Sequence, residues 1–446
     1  MKVAVVGGGV AGLAAAWELR HNSDVTLFEP VHLGGCIKTT SFLDRPVDEG
    51  PDAFITRIPD ALELCREVGI ESELIAPAAG RAAIWWNGRL RTLPDGLILG
   101  VPSRPMSLVR TGILSPAGAA RATLDIVLPR VSVPPSATVR QIVAARFGDE
   151  VADRLVDPLI GSVYAGSTRE LGAAETVPQL ADVAKSSRSV LLGLRRLRTI
   201  AGGPPLFLTP RGGMQRLVHA LVEGMSSVQF VAHRVTAIRP VPRGGWLLEP
   251  CVQHYDAVVV ATSAPEAARM LATEGVKTLD SMPTASVVLL TAALKGVDLP
   301  PQLNGFLVPR NSGRLMTACS FGSNKWPHWG GPATAVVRIS AGRYGESKVL
   351  ELDDATLVDR LLDELRDALG VDFSCVATRI SRYPHSFPQY FPEHGSLVSK
   401  VEAFLETSSP GVYLAGSSYR GIGVPACISS GRRAARLARE SVMART

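Results

Sequence analysis

Gly7, Gly9 and Gly12 stand at the spacing G-x-G-x-x-G, straight after the β-branched run Lys2 to Val6 and straight before an Ala-rich helical stretch, Leu13 to Arg20. Strand, tight turn and helix in that order form a pyrophosphate cradle. The first glycine makes the turn, the second admits the phosphates to the backbone, and the third lets helix and strand pack closely. Val10 and Ala11 complete the turn, and the unpaired N–H groups of the helix start face the anion. A second strand, Asp24 to Phe28, ends in Glu29, seventeen residues beyond Gly12 (29 − 12). An acid at that distance accepts hydrogen bonds from the adenosine ribose and repels a 2′-phosphate, so the ligand expected is FAD or NAD rather than NADP.

The elements that must position this chemistry recur along the chain. Leu33 to Thr39 and Val47 to Ala53 are turn-rich segments that an NAD domain has no use for. His233 to Ile238 reads as an alternating strand, and Tyr255 to Ser263 as a buried strand running into a small-residue turn that contains Thr262. Near the end, Gly411 to Gly416 leads into Gly421-Ile422-Gly423-Val424-Pro425 and a helix beginning near Ala426 that carries Gly431. This second strand, glycine turn and helix predicts another anion or flavin-edge site at a helix start.

In this order the segments resemble the FAD-containing amine oxidase superfamily, whose nucleotide motif continues from the ribose acid into a G-G-[RK]-x-x-[ST] turn. The resemblance implies non-covalent FAD with its diphosphate over Gly7, Gly9, Val10, Ala11 and Gly12. Its isoalloxazine edge would be approached by Gly34, Gly35, Cys36, Lys38 and Thr39 and by Gly50, Pro51, Asp52 and Ala53. Val235 would give its backbone to the adenine, with Thr262 in the neighbouring turn. Gly416, Gly421, Ile422, Gly423 and Val424 would close over the ribityl chain and the pyrimidine. Two positions depart from the pattern. Cys36 stands where relatives have Arg or Lys, which leaves the pyrophosphate to Lys38 or the backbone; Cys36 itself reads as a small packed residue rather than a covalent flavin anchor. Ser417 replaces an acid.

A narrower likeness lies in the middle of the chain. Asp157 to Gly166, Glu170-Leu171 and Pro178-Gln179-Leu180 resemble the P-L-x-x-G-[IV]-[YF]-A-G…L…P-x-L stretch of the porphyrinogen oxidases. Thr209 to Leu217 resembles their G-G-[ML]-Q-x-L turn, and Gly416 to Gly431 their closing motif. The resemblance implies an oxidase that converts coproporphyrinogen III to coproporphyrin III in haem biosynthesis, with three rounds of flavin reduction and three H2O2 per porphyrin, O2 as acceptor and a ferrochelatase as receiver of the product. Protoporphyrinogen oxidation is the runner-up. Amine oxidases, carotenoid desaturases and the flavin-free GDP-dissociation inhibitors share parts of the pattern. Loss of hydride from a meso carbon leaves a cation conjugated with the pyrroles, so no catalytic side chain is named. A slot for a greasy ring with carboxylate arms needs cations at its edge. Arg57, Arg420 and Lys38 are the cations expected there, and Gly161, Ser162 and Tyr164 form part of the slot.

The implied fold class is α/β: a discontinuous Rossmann-like FAD-binding domain (1–73, 205–273 and 408–446), a mixed β-sheet substrate domain (74–114 and 274–407) and a helical subdomain (115–204). The 446 residues fit two or three domains, and 46% apolar with 20% charged residues excludes disorder. Mean hydropathy is +0.17, yet every apolar stretch is interrupted short of the roughly 18 residues a spanning helix needs. Val3 to Trp17 after Lys2 has the look of a secretory signal, but the strand–turn–helix pattern accounts for the same residues. Six dispersed cysteines with no C-x-x-C pair indicate a reducing compartment, so the cytoplasm is the expected location. The eight histidines have no metal-ligand spacing, and no metal is expected. A net charge of +6 comes with no nucleic-acid module. Lys185 to Arg198 reads as a basic amphipathic helix, better explained by one packed face than by a peripheral membrane contact.

Overall fold

The computed structural model describes residues 1–94, 96–98, 100–102, 109–130, 132–198, 205–242, 244–251, 253–331 and 333–443. The chain divides into two units, one built from Met1–Ala76, Pro204–Pro283 and Gly395–Thr446, the other from Pro77–Gly203 and Thr284–His394.

In the first unit, Lys2–Val6 is wholly apolar after its first residue, the signature of a strand covered on both faces. It lies inside a five-stranded parallel sheet in the order Gln229–Val231, Asp24–Phe28, Lys2–Val6, Ala257–Val260, Val412–Leu414. Alternation divides the side chains between two cores. Val3, Val5, Ala257 and Val259 pack with the helices Val10–Leu19, Gln215–Glu223 and Val424–Met443. Ala4, Val6, Val258 and Val260 pack with Ala264–Leu271 and the small sheet of Ala237–Pro240, Trp246–Glu249 and Gln253–Tyr255. Residues 274–283 and 395–407, expected with the substrate sheet, sit in this unit instead, because Val276, Leu279, Val398, Val401 and Leu405 are buried in the second of these cores.

The second unit carries a seven-stranded sheet in the order Ser374–Pro388, Thr284–Lys295, Ala335–Ala341, Met316–Ser320, Leu303–Leu307, Arg81–Trp86, Arg89–Thr92. Asn87 and Gly88, both with positive φ, close the hairpin that the Trp85-Trp86-Asn87-Gly88 run predicts. Val288, Leu290, Ala292 and Leu294 face the helix Asp354–Leu369, while Ala285 and Val287 face the other way, onto Ala165. The helical stretch from 115 to 198 belongs to the same unit.

Lys185 to Arg198 is not one helix. Pro178–Ser186 ends, and Val190–Arg198 starts afresh. The break is held by Asp125, whose carboxylate accepts from Ser189 Oγ at 2.6 Å and Leu191 N at 2.8 Å and pairs with Arg146 Nε at 2.5 Å. Both charged groups are buried, so the pair is balanced by capping bonds rather than by water. Val190, Leu191 and Leu194 are buried and Arg195 and Arg196 exposed, a packed face with a solvated back. The side chains of Leu197 and Arg198 lie outside the described residues. Among the described residues no helix is long and apolar enough to cross a membrane.

Candidate functional site

The first unit gathers the glycines of the amino terminus around one helix start. A Cβ on Gly12 would lie 1.9 Å from the Gly7 carbonyl oxygen, and one on Gly7, whose φ is +107°, would lie 2.6 Å from Ala261 O. Only glycine permits this closeness of strand, turn and helix. At Gly9 nothing lies within 4 Å of the added atom, so the backbone there is open to a ligand. Helix Val10–Leu19 begins at that point with no side-chain cap, leaving its first N–H groups to an anion. Glu29 Oε2 accepts from Gly8 N at 2.9 Å and Oε1 from Val31 N at 3.0 Å, which fixes the carboxylate at the end of the second strand beside the glycine turn.

Gly34, with φ +106°, donates its N–H to Gly8 O at 2.8 Å and forms a bridge with Gly9. This joins the second predicted turn to the first. Cys36, which follows two glycines with positive φ, Gly34 and Gly35, is exposed and not packed. Lys38 is held by Glu49, Nζ to Oε1 3.1 Å, and is therefore committed to a carboxylate. Thr39 Oγ1 donates to Asp48 at 2.5 Å and accepts from Gln215 N at 3.0 Å, while the same Asp48 oxygen accepts from Met214 N at 2.9 Å. The hairpin of Thr39–Phe42 and Arg45–Asp48 thereby caps helix Gln215–Glu223, a structural task for the Gly212-Gly213-Met214-Gln215 turn that the sequence does not announce. Gly50 and Asp52 are buried; Pro51 and Ala53 are half-buried.

Val235 is buried in an irregular segment between strands Gln229–Val231 and Ala237–Pro240, not in a strand; the ladder to Trp246–Glu249 begins only at Ala237. Thr262 faces Gly7, and Gly416, with φ +116°, has only Thr262 O, at 3.9 Å, near its added Cβ. Gly421 (φ +128°), Ile422 and Gly423 lead into helix Val424–Met443, a second helix start built on glycine. Arg57 is exposed and has no partner among the described residues. Arg420, by contrast, pairs with Glu402, which also binds Arg433 at 2.7 Å.

Gly161, Ser162 and Tyr164 belong to the second unit. A ten-residue π-helical run, Ala152–Gly161, contains Pro158 and passes into the short turn Ser162–Tyr164. Wide helical turns of this kind gather at functional sites. The chain then reverses at Ala165, which has φ +48°, a conformation that costs a non-glycine residue of order 1–3 kcal/mol. Three neighbours hold it. Gln389 Nε2 donates to Tyr164 O at 2.7 Å, Tyr344 N to Ala165 O at 2.7 Å, and Arg310 Nη2 to Gly166 O at 3.2 Å. Burial pushes the Tyr164 hydroxyl up to about 12, so it stays protonated. Beside the turn is a cavity of about 100 Å3 that includes Gly161, Ser162, Leu289, Arg310 and Arg343 in its wall. Gln389, Arg310 and Arg343 carry no motif of their own. Arg310 follows the Leu303–Leu307 strand and Arg343 follows Gly342 at the end of Ala335–Ala341, where only the paired sheet brings them to the turn.

A parallel sheet with an uncapped, glycine-built helix start is the architecture of the dinucleotide-binding class of proteins. The chain belongs to the flavin containing amine oxidoreductase family, which it matches over residues 10–438, and it is an FAD-dependent oxidoreductase. It is 33% identical to a coproporphyrinogen III oxidase of Mycobacterium tuberculosis over 445 residues, covering 96% of this chain and 95% of that one. It is 29% identical to the coproporphyrinogen III oxidase of Bacillus subtilis, with 97% and 96% covered. Among solved structures, a candidate protoporphyrinogen oxidase from Exiguobacterium sp. 255-15 superposes with a TM-score of 0.89 at 24% identity over 99% of both chains, a likeness of fold.

Proposed function

We propose that this enzyme oxidises coproporphyrinogen III to coproporphyrin III in haem biosynthesis. The observation that carries this reading is the match, at 33% identity and nearly full length, to a relative bearing that activity in its name. FAD, held by the residues named below, would supply the redox chemistry, with O2 as the final acceptor. The balance per porphyrin is six hydrogens lost, three O2 consumed and three H2O2 formed. The chain's own part is binding and placement. Gly7, Gly9, Val10, Ala11 and Gly12 would face the pyrophosphate, Glu29 the ribose and the Val235 backbone the adenine. The turns at Gly34–Thr39 and Gly50–Ala53, Thr262, and Gly416 with Gly421–Val424 would line the remainder. Arg57, exposed and unengaged, suits a carboxylate arm of the substrate better than Arg420 or Lys38, whose charges are already paired. The reaction is placed in the cytoplasm, with the product passed to a ferrochelatase.

The test is aerobic turnover of the purified yellow protein on coproporphyrinogen III and on protoporphyrinogen IX, with porphyrin fluorescence and H2O2 followed together. The expected result is coproporphyrin III with about three H2O2 per porphyrin, and a higher kcat/KM on coproporphyrinogen. Preference for protoporphyrinogen IX would transfer the assignment to that substrate. No oxidation of either above the spontaneous rate would overturn it.

A further inference from the structure

Resting on that reading, we infer that Arg343 receives a carboxylate arm of the substrate in the cavity beside the Ala165 turn, and that Arg310 holds the turn that shapes it. Arg343 leaves the sheet just after Gly342, which has φ +97° and whose added Cβ would lie 2.5 Å from Ser286 O. Its guanidinium is half-buried in the cavity wall and donates to the Val308 carbonyl; among the described residues it has no ion-pair partner. Burial lowers its pKa, with the Glu346 and Asp157 carboxylates acting against that and Arg310 in its favour.

Among the described residues, two carboxylates near the cavity have partners of their own. Glu346 binds Arg310 Nη1 at 2.8 Å, and Asp157 Oδ1 accepts from Thr168 N at 2.8 Å and Thr168 Oγ1 at 2.7 Å. Arg310 is committed as well, to Glu346 and to the carbonyls of Gly166 and Tyr344. Of the two cations described in the cavity wall, Arg343 is the one without an ion pair, and a guanidinium offers a carboxylate two parallel donors.

Size limits the ligand. A recess of about 100 Å3 is the size to take one carboxyethyl arm rather than the whole macrocycle it belongs to. Val287, Leu289 and Phe387 line its apolar part, suited to the methylenes of such an arm. Coproporphyrinogen III carries four carboxyethyl arms and protoporphyrinogen IX two, with vinyl groups in place of the others. The inference assigns to this cavity one of the two arms that protoporphyrinogen IX replaces with vinyl; a guanidinium left facing a vinyl group loses its water and gains nothing, so with that arm the cavity selects the four-armed substrate.

The experiment is a fluorescence titration of the holoenzyme with coproporphyrin III and with protoporphyrin IX, alongside kcat/KM for both porphyrinogens, in wild type and Arg343→Met. The variant is expected to bind coproporphyrin III about tenfold more weakly or worse, to change less than about threefold toward protoporphyrin IX, and to lose the matching preference in kcat/KM. Equal factors for the two porphyrins, or no change for either, overturn the inference. Should Arg343→Met fail to fold by circular dichroism, Arg343→Lys takes its place. It keeps the charge but not the fork, and a drop of about threefold for coproporphyrin III alone is expected; wild-type affinity overturns the inference. If the wild type itself does not oxidise coproporphyrinogen III, the functional reading fails. If it does and the variants do not discriminate, only the role of Arg343 fails.

Discussion

Gly431, in the carboxy-terminal helix, lies so close to Ala11 that a Cβ there would come within 2.0 Å of the Ala11 carbonyl oxygen. The first turn of helix Val10–Leu19 is therefore seated against the interior of helix Val424–Met443 at a point where a methyl group is missing. In an exposed helix, Gly→Ala gains about 1 kcal/mol. Here overpacking against backbone costs about 1–3 kcal/mol and reverses the sign. Gly431→Ala is expected to lower the melting temperature and the flavin content per polypeptide, read from the ratio of flavin to protein absorbance. A variant as stable and as yellow as wild type would show that the helices can part without cost.

Glu29 binds two backbone N–H groups, those of Gly8 and Val31, and so arranges the turn as well as facing the proposed ribose position. Glu29→Gln keeps one acceptor oxygen but loses the charge that strengthens these bonds. Its Kd for FAD, measured by flavin fluorescence on the apoprotein, is expected to rise about tenfold, and that of Glu29→Ala further. Unchanged affinity in both would remove Glu29 from the nucleotide site.

The parts of the fold legible in the sequence are those in which chemistry and local structure coincide. The β-branched run Lys2 to Val6, the glycine spacing and Glu29 point to the same strand, turn and helix. The pairing of Asp48 and Thr39 with the Gln215 helix start was not legible, since it joins residues distant in the chain through hydrogen bonds that leave no periodic trace. Arg343 and Gln389 were missed for the same reason: a lone Arg or Gln at a strand end says nothing until the sheet is paired. Lys185 to Arg198 misled because its apolar spacing continues through the break at Ser187 to Ser189, which only Asp125 explains.

Gln389 is 2% exposed, and its amide bridges Tyr164 O at 2.7 Å and Phe387 O at 2.9 Å. It is one of the three neighbours that hold the left-handed turn at Ala165. Gln389→Leu leaves a buried carbonyl without its donor, a loss of about 1–3 kcal/mol. Since Ala165 and Gly166 line the cavity, the change is expected to raise KM for the porphyrinogen as well as lower stability. Gln389→Glu, which removes the donor while keeping the shape, should raise KM in the same direction. Unaltered KM in both variants, with lowered stability, would reduce Gln389 to a packing role.

Glu402 gives a pH signature. Burial alone would push its carboxyl up, but hydrogen bonds and charge from Arg420 and Arg433 outweigh this and hold it below the ordinary 4.5. A carboxyl whose pKa is lower folded than unfolded contributes stability above its unfolded pKa and loses it as pH falls through the folded one. The advantage of wild type over Glu402→Gln in urea unfolding should therefore be full near pH 7 and shrink progressively below about pH 4.5. A gap that stays constant down to about pH 3 would mean that the ion pairs contribute nothing, as is common for exposed pairs. The same variant frees Arg420. If Arg420 is held from the substrate by Glu402, as its pairing indicates, then KM in Glu402→Gln should respond to a following Arg420→Ala, whereas in the wild-type background Arg420→Ala should leave KM within about twofold.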